Sequence, residues 1–167
     1  MPVIVYVMLF GHYAAAFWIF VVAAATDALD GAIAKQFSVE SEVGAFLDPL
    51  ADKALLLGVY VLLGYTGHIA AWLVILIVFR DILIIAGAIM FHTITHSLKM
   101  KPLLVSKVNT LAQFLLASLV LAELGLEFDL AGVADLLVYV VAATTFISGA
   151  AYVTKWGILA ATMEREP

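Results

Sequence analysis

Residues 69–91 read IAAWLVILIVFRDILIIAGAIMF, and this stretch decides the class of fold. It is long enough to cross a bilayer, because a spanning helix takes ~20 residues. Its apolar residues run continuously instead of alternating, which favours a helix over a strand of a membrane barrel. Arg80 and Asp81 are its only charged residues. We therefore predict a membrane-spanning helix that carries two charges near its middle.

The composition extends this prediction to the whole chain. Hydrophobic residues make up 65% and charged residues 13% of the 167 residues, whereas soluble domains have roughly 45–50% and 25%. Only helices or closed barrels can span lipid, because every backbone polar group must be paired internally. The apolar runs of this chain are long and do not alternate, so we expect helices. We predict an all-α, polytopic membrane bundle of about six helices, forming a single domain over residues 1–167. The expected helices cover 2–10, 13–37, 44–65, 69–91, 103–124 and 133–159, with a turn at Gly67 and His68.

Charge placement predicts how this bundle is oriented. Six of the eight Lys and Arg residues fall at the 2–3 connection, the 4–5 connection and the C-terminal end, and these are Lys35, Lys99, Lys101, Lys107, Lys155 and Arg165. Those three places share one face when about six helices are present, and the other face carries Glu123, Glu127 and Asp129. The positive-inside rule places the basic face in the cytoplasm. We expect an integral protein of the bacterial inner membrane with its site facing the cytoplasm.

Four aspartates lie inside the second and third predicted helices: Asp27, Asp30, Asp48 and Asp52. A charged side chain at the centre of a membrane helix costs about 2.5–3.5 kcal/mol on insertion scales, so four unpaired carboxylates would cost on the order of ten kcal/mol. Lys53 and Arg80 could neutralise two of them at most. Hard divalent cations bind carboxylate oxygens and would compensate for the rest, which predicts a metal site. The chain has no cysteine, which excludes zinc–thiolate sites and cysteine nucleophiles.

The spacing of the acids places them in pairs on two helix faces. At 3.6 residues per turn, one face of the second helix holds Asp27, Asp30, Gly31 and Ala34, and one face of the third holds Gly44, Asp48 and Asp52. Small residues let a neighbouring helix or a ligand approach the backbone closely. The connection between the two acidic stretches is short, so we predict that the pairs face each other near the basic side of the membrane. Two metal ions held by carboxylates are a known solution for attack on phosphorus.

Residues 27–52, DALDGAIAKQFSVESEVGAFLDPLAD, resemble the signature of the CDP-alcohol phosphotransferases, D-x2-D-G-x2-A-R-x8-G-x3-D-x3-D. Every spacing matches, and seven of the eight specified positions match in identity. The exception is Lys35, where the family has arginine. Lysine keeps the charge but lacks the bidentate fork of arginine. The chain is identified as a member of this family on that motif, which is too long and too gapped to arise readily by chance.

The resemblance implies a role for each signature residue. Asp27, Asp30 and Asp48 would be metal ligands. Asp52 would complete the metal site or act as the general base on the acceptor hydroxyl, so Asp48 and Asp52 are the candidate catalytic residues. Space for the cytidine nucleotide would come from Gly31, Ala34 and Gly44, with Lys35 at the phosphates. The implied cofactor is Mg²⁺ or Mn²⁺, in two ions, because the ligands are all oxygens.

Further resemblance concerns the subfamily. The stretch Phe79-Arg80-Asp81 and residues 101–113, KPLLVSKVNTLAQ, look like the CMP-forming cardiolipin synthases. Residues 47–53, LDPLADK, resemble a stretch that those enzymes share with phosphatidylglycerophosphate synthases, which more often show Gly-Lys-x-Lys-Thr in place of SKVNT at 106–110. The implied reaction moves a phosphatidyl group from CDP-diacylglycerol to phosphatidylglycerol, giving cardiolipin and CMP. Phosphatidylglycerophosphate synthase, with glycerol 3-phosphate as acceptor, is the alternative.

The resemblance also carries expectations about assembly and about the N-terminus. A homodimer fits the family, the membrane is the expected environment, and no nucleic-acid partner is expected. Family members usually carry an amphipathic segment resembling N-x-P-N-x-L-T-x-x-R before the first helix. This sequence begins inside the first predicted helix, so we expect that segment to be missing.

Two cations outside the signature are candidate substrate-binding residues. Arg80 could contact a lipid phosphate, because guanidinium suits phosphate oxygens, or it could pair with an acid and hold the bundle together. Asp81 lies about 100° round the helix from Arg80 and need not pair with it. Lys107, close to Ser106 and Asn109, could bind a phosphate or extend to the interface as an ordinary lysine.

A small ion transporter is the alternative from another functional class, because acids inside a membrane also serve ion transport. A transporter of this kind would need acids spread along a path across the membrane. Here the acids cluster at one end of two predicted helices, which favours a site over a conduit.

Overall fold

Six helices make up the part of the chain that the computed structural model describes. Backbone is described for residues 2–37, 42–95, 103–126 and 131–163, and side chains for 2–26, 53–90, 103–126 and 132–158. The helices are α1 (Pro2–Leu9), α2 (Tyr13–Phe37), α3 (Glu42–Tyr65), α4 (Ala71–Thr95), α5 (Leu104–Leu126) and α6 (Ala131–Met163). No strand occurs within these ranges. The predicted all-α bundle is confirmed, with helix ends shifted by only a few residues.

Tight turns join α1 to α2 and α3 to α4. Each contains a glycine with positive φ, 76° at Gly11 and 78° at Gly67, a conformation that is unfavourable for residues with a Cβ. In the second turn the Thr66 hydroxyl donates a hydrogen bond to the Leu62 carbonyl at 2.9 Å. The same hydroxyl lies 2.8 Å from Nδ1 of His68. The predicted turn at Gly67 and His68 is thereby confirmed.

Several of the helices have the length and surface of membrane-spanning segments. Among the residues whose side chains are described, three stretches are long and apolar enough to cross a bilayer by length and composition, namely Ala71–Met90, Leu104–Leu126 and Gly132–Ile158. Helices α2 and α3 contribute shorter apolar stretches, Tyr13–Thr26 and Lys53–Tyr65. Large apolar side chains such as Ile75 and Phe146 are exposed on the outside of the bundle, as expected where the solvent is lipid. The chain is therefore a membrane protein.

Helix α5 lies at the centre of the bundle, in contact with α2, α3 and α6. Helix α4 packs against α6 and α3, and α1 against α2 and α3. The α2–α5 interface contains a stacked pair, Phe20 and Phe114, whose ring centroids are 4.7 Å apart. At its other end the backbone of Gly125 approaches the backbone of Tyr13 and Ala14 so closely that a Cβ at residue 125 would collide with it. Helices α2 and α5 are therefore antiparallel and closely packed.

Candidate active site

The signature residues lie in helical backbone, in the second half of α2 and the first half of α3. The helical geometry that their spacing requires is therefore present. Their side chains fall outside the described ones, so the predicted metal and nucleotide contacts stay predictions; this applies to Asp27, Asp30, Gly31, Ala34, Lys35, Gly44, Asp48 and Asp52. Among the side chains that are described, no group of three or more His, Asp or Glu residues could hold a metal ion.

The described halves of α2 and α3 set the register in which the signature continues. On α2, Ala16 and Phe20 are fully buried, and Asp27 follows Phe20 by seven positions, which is two helical turns. On α3, Leu56 is buried, and Asp52 precedes it by four positions, which is about one turn. Backbone positions 27 and 52 therefore continue the helical rows of the buried residues Phe20 and Leu56.

Contacts between α3 and α5 show which positions lie at the same depth in the bundle. The buried Tyr60 hydroxyl donates to the Gln113 carbonyl at 2.8 Å. Seven positions earlier on each helix stand Lys53 and Ser106, which are linked to each other through residues of α4. The same number of residues thus separates the two contacts on both helices. Helices α3 and α5 therefore run in the same direction, with Lys53 and Ser106 at the same depth in the bundle.

Helix α2 reaches the same depth from the opposite direction. Because it is antiparallel to α5 and Phe20 stacks on Phe114, two further turns of α2 bring backbone position 27 level with the first turns of α5. Those turns contain Ser106 and Lys107. The backbone of the signature in α2 and the start of α5 therefore lie at the same end of the bundle.

A polar network around Arg80 occupies that depth in the bundle. The Arg80 side chain is only 3% exposed. Its Nη1 donates to Asp81 Oδ1 at 2.6 Å, and its Nη2 donates to Ser106 Oγ and to Ser148 Oγ, both at 2.6 Å. Asp81 Oδ1 also accepts a hydrogen bond from Lys53 Nζ at 3.3 Å. We call these five residues, which join α3, α4, α5 and α6, the Arg80 network.

The network settles one of the alternatives open for Arg80. Arg80 and Asp81 do pair, although their spacing on the helix does not require it, because the long arginine side chain spans the 100° between neighbouring positions. Mutual pairing also lowers the cost of placing two charges inside a membrane helix. Arg80 thus holds the bundle together, and its predicted contact with a substrate phosphate stays a prediction. Ser148 was missed, because a lone serine in an apolar helix gives no sequence signal.

A second polar contact lies one turn deeper, between α5 and α6. Asn109 is fully buried, and its Oδ1 accepts hydrogen bonds from the hydroxyls of Thr144 at 2.8 Å and Thr145 at 2.9 Å. Lys107, two positions before Asn109, is exposed. Its predicted role in phosphate binding stays a prediction, and its exposure leaves the ammonium accessible.

Comparison with known proteins identifies the family. Residues 1–162 match the CDP-alcohol phosphatidyltransferase family. The chain belongs to that family. The match includes α1 to α5, α6 up to residue 162, the signature stretch and the Arg80 network, so the resemblance found in residues 27–52 is confirmed over nearly the whole chain.

Several CDP-alcohol phosphatidyltransferase relatives carry names that specify a reaction. A cardiolipin synthase (CMP-forming) / mitochondrial hydrolase fusion protein of Schizosaccharomyces pombe is 33% identical over 166 residues, which cover 90% of this chain and 28% of that protein. A chloroplastic CDP-diacylglycerol–glycerol-3-phosphate 3-phosphatidyltransferase of Oryza sativa subsp. japonica is 33% identical over 93% of this chain and 53% of that protein. A Bacillus subtilis protein named for the same reaction as the rice one is 32% identical over 82% of this chain and 70% of that protein.

These family relatives limit what similarity alone decides. The chain spans about half or less of the length of the first two, 28% and 53%. Their names specify two different reactions at equal identity, so similarity does not distinguish phosphatidylglycerol from glycerol 3-phosphate as the acceptor of this chain. The two names also refer to a mitochondrial and a chloroplastic protein, so the bacterial inner membrane stays a prediction.

Proposed function

We propose that the chain transfers the phosphatidyl group of CDP-diacylglycerol to phosphatidylglycerol, giving cardiolipin and CMP. Membership of the CDP-alcohol phosphatidyltransferase family supports the reaction type. The two lipids are the proposed substrates, and a homodimer in the membrane is the proposed assembly. The bacterial inner membrane, with the site toward the cytoplasm, is the proposed location.

The choice of acceptor rests on one observation, that Arg80 is buried and paired within the protein. A small, water-soluble acceptor with its own phosphate needs a strongly basic pocket at the membrane surface. Arg80 is 3% exposed and bonded to Asp81, and Lys53 is paired with the same carboxylate. The three charges sum to a formal +1, from two cations and one anion. This arrangement favours a lipid acceptor that enters between the helices from the bilayer.

The proposed step forms one bond and breaks one bond at phosphorus. The free hydroxyl oxygen of phosphatidylglycerol attacks the phosphorus of the phosphatidyl group, and the bond from that phosphorus to the CMP oxygen breaks. CMP leaves with the bonding electron pair. Asp52 takes the proton of the attacking hydroxyl, a role that requires hydrogen-bond distance to that group.

The carboxylates of the signature fit the proposed metal ions by the chemistry of their donor atoms. Asp27, Asp30 and Asp48, completed by Asp52, offer only oxygen ligands, which Mg²⁺ and Mn²⁺ prefer. Two such ions, when bound, would neutralise charge on the diphosphate. Gly31, Ala34 and Gly44 are proposed to make room for the nucleotide, with Lys35 at its phosphates. Arg80 is proposed to contact a lipid phosphate, and Lys107 a substrate phosphate.

Phosphatidylglycerophosphate synthesis, with glycerol 3-phosphate as acceptor, is the second candidate. It is favoured by the names of the rice and Bacillus subtilis relatives. The matched region makes up 70% of the length of the Bacillus subtilis protein. Both candidates use the same donor and release the same nucleotide. An assay that supplies the acceptors separately distinguishes them.

The test uses purified protein in detergent with radiolabelled CDP-diacylglycerol and Mg²⁺, supplied with either phosphatidylglycerol or glycerol 3-phosphate. We expect labelled cardiolipin and released CMP when phosphatidylglycerol is the acceptor but not when glycerol 3-phosphate is. Chelation of the metal should abolish both products. Asp52→Asn should abolish the product. The matched control is Asp135→Asn, which removes an exposed carboxylate of α6 and should leave the rate unchanged. Product with glycerol 3-phosphate alone would overturn the acceptor, and release of no CMP with either would overturn the reaction.

A further inference from the structure

Asp81 links a helix of the signature to the rest of the bundle. Its Oδ1 accepts from Lys53 of α3 at 3.3 Å and from Arg80 of its own helix at 2.6 Å. Arg80 then reaches α5 and α6 through the hydroxyls of Ser106 and Ser148. One carboxylate oxygen, in a side chain only 15% exposed, therefore connects α3 to three other helices.

Two polar contacts hold α3 against its neighbours among the described side chains. Lys53 contacts Asp81, and Tyr60 contacts the Gln113 carbonyl. Lys53 and Tyr60 are seven positions apart and so lie on nearly the same side of α3, two turns from each other. These two polar contacts, which we call the ties of α3, lie at two depths and therefore restrict rotation of the helix about its own axis. The Lys53 tie is the nearer of the two to the signature, because Lys53 directly follows Asp52 in sequence.

We propose that Asp81 is a positioning residue for the phosphatidyl-transfer reaction. By holding Lys53 against the Arg80 network, it fixes the rotation of the first half of α3 and with it the direction in which Asp48 and Asp52 face. Asp81 acts through Lys53 and touches no reacting atom. The inference rests on the proposed function, because it assigns Asp81 a part in that reaction.

Steady-state kinetics of Asp81→Asn test the positioning role. Asparagine keeps the size of the side chain and one acceptor oxygen but removes the charge that attracts Lys53. Misplacement of a reacting group by about 1 Å costs roughly 100-fold in rate, so we expect kcat to fall roughly 10- to 100-fold. KM for CDP-diacylglycerol should change far less, and Asp81→Glu should recover part of kcat. The matched control Asp135→Asn should leave both constants unchanged.

Two comparisons separate positioning from a general loss of stability. Tyr60→Phe removes the other tie of α3 and should lower stability while leaving kcat much closer to the parent value. Adding Lys53→Met to Asp81→Asn should lower kcat little beyond either single change, because both remove the same contact. Multiplying effects of the two changes, or a kcat for Asp81→Asn within about twofold of the parent, well short of the expected loss, would overturn the proposal.

A distance measurement tests the tie without relying on activity. The chain has no cysteine, so Val61→Cys on α3 and Phe146→Cys on α6, both at exposed positions, would carry the only two spin labels. Without substrates, Asp81→Asn should broaden the distance distribution between the labels, and Asp135→Asn should not. An unchanged distribution would overturn the tie. If the parent released no CMP with either acceptor, the proposed function would fail, whereas this measurement would still show whether Asp81 holds α3.

Discussion

A single hydroxyl group, that of Tyr60, is expected to contribute measurably to stability. It donates to the Gln113 carbonyl at 2.8 Å in a fully buried position. Tyr60→Phe keeps the ring and removes only this hydrogen bond, which typically contributes about 1 kcal/mol. We expect the free energy of unfolding to fall by about that amount, measured by SDS titration in mixed micelles. Tyr139→Phe, at a position 69% exposed, is the matched control, and equal effects of the two changes would contradict the prediction.

At the residue scale, the signature residues could be recognised in the sequence, whereas the contacts of the Arg80 network could be predicted only in part. Charge inside an apolar run marks Arg80 and Asp81 as costly, and therefore as residues that need partners. The sequence does not show which partners they find, because that depends on side-chain conformation and on which helices are neighbours. Ser148 contributes an acceptor to Arg80 but looks in sequence like any small residue of a membrane helix.

At the element scale, close approach of α2 and α5 depends on glycine at position 125. A Cβ there would meet the backbone of Tyr13 and Ala14, and backbone cannot move aside as a flexible side chain can. Gly125→Ala should therefore push the two helices apart and cost about 1–3 kcal/mol, as overpacking does. The same micelle titration measures the loss.

A second glycine provides the control for that substitution. Gly157 in α6 has nothing within 4 Å of the position that a Cβ would take. Gly157→Ala should therefore be neutral or slightly stabilising, since alanine favours a helix by about 1 kcal/mol over glycine. Equal stability of the two variants would show that α2 and α5 do not approach as closely as described.

The helices themselves could be predicted from the sequence, because each apolar run had to pair its backbone internally. Their ends could not be placed as well. Helices α4 and α6 continue to Thr95 and Met163, beyond the ends of the apolar runs, because backbone hydrogen bonding continues into polar residues. The apolar residues of a run indicate the environment of the helix. They do not indicate the residue at which its backbone hydrogen bonds end.

At the scale of the whole molecule, the packing brings the signature and the Arg80 network to one depth. The contacts of Tyr60 with Gln113 and of Phe20 with Phe114 define a common level in α2, α3 and α5. About two turns from that level, the parallel α3 and α5 reach Lys53 and Ser106, and the antiparallel α2 reaches its first aspartate. The sequence predicted a pairing of two acidic helices. It could not predict that α5 reaches the same depth, because that follows from the order of packing.

The distribution of charge over the whole molecule predicts its orientation in the membrane. Thr66 lies in the exposed turn between α3 and α4, and Lys99 belongs to the connection between α4 and α5, so the spanning segment Ala71–Met90 separates them. Since six of the eight Lys and Arg residues are predicted to share the face of Lys99, that face should be cytoplasmic.

A membrane-impermeant maleimide should label Lys99→Cys in inside-out vesicles and Thr66→Cys in right-side-out vesicles. The parent chain, which has no cysteine, should not react in either. Labelling of both variants from one side would mean that α4 does not cross the membrane, and the reverse pattern would place the signature end of the bundle outside the cytoplasm.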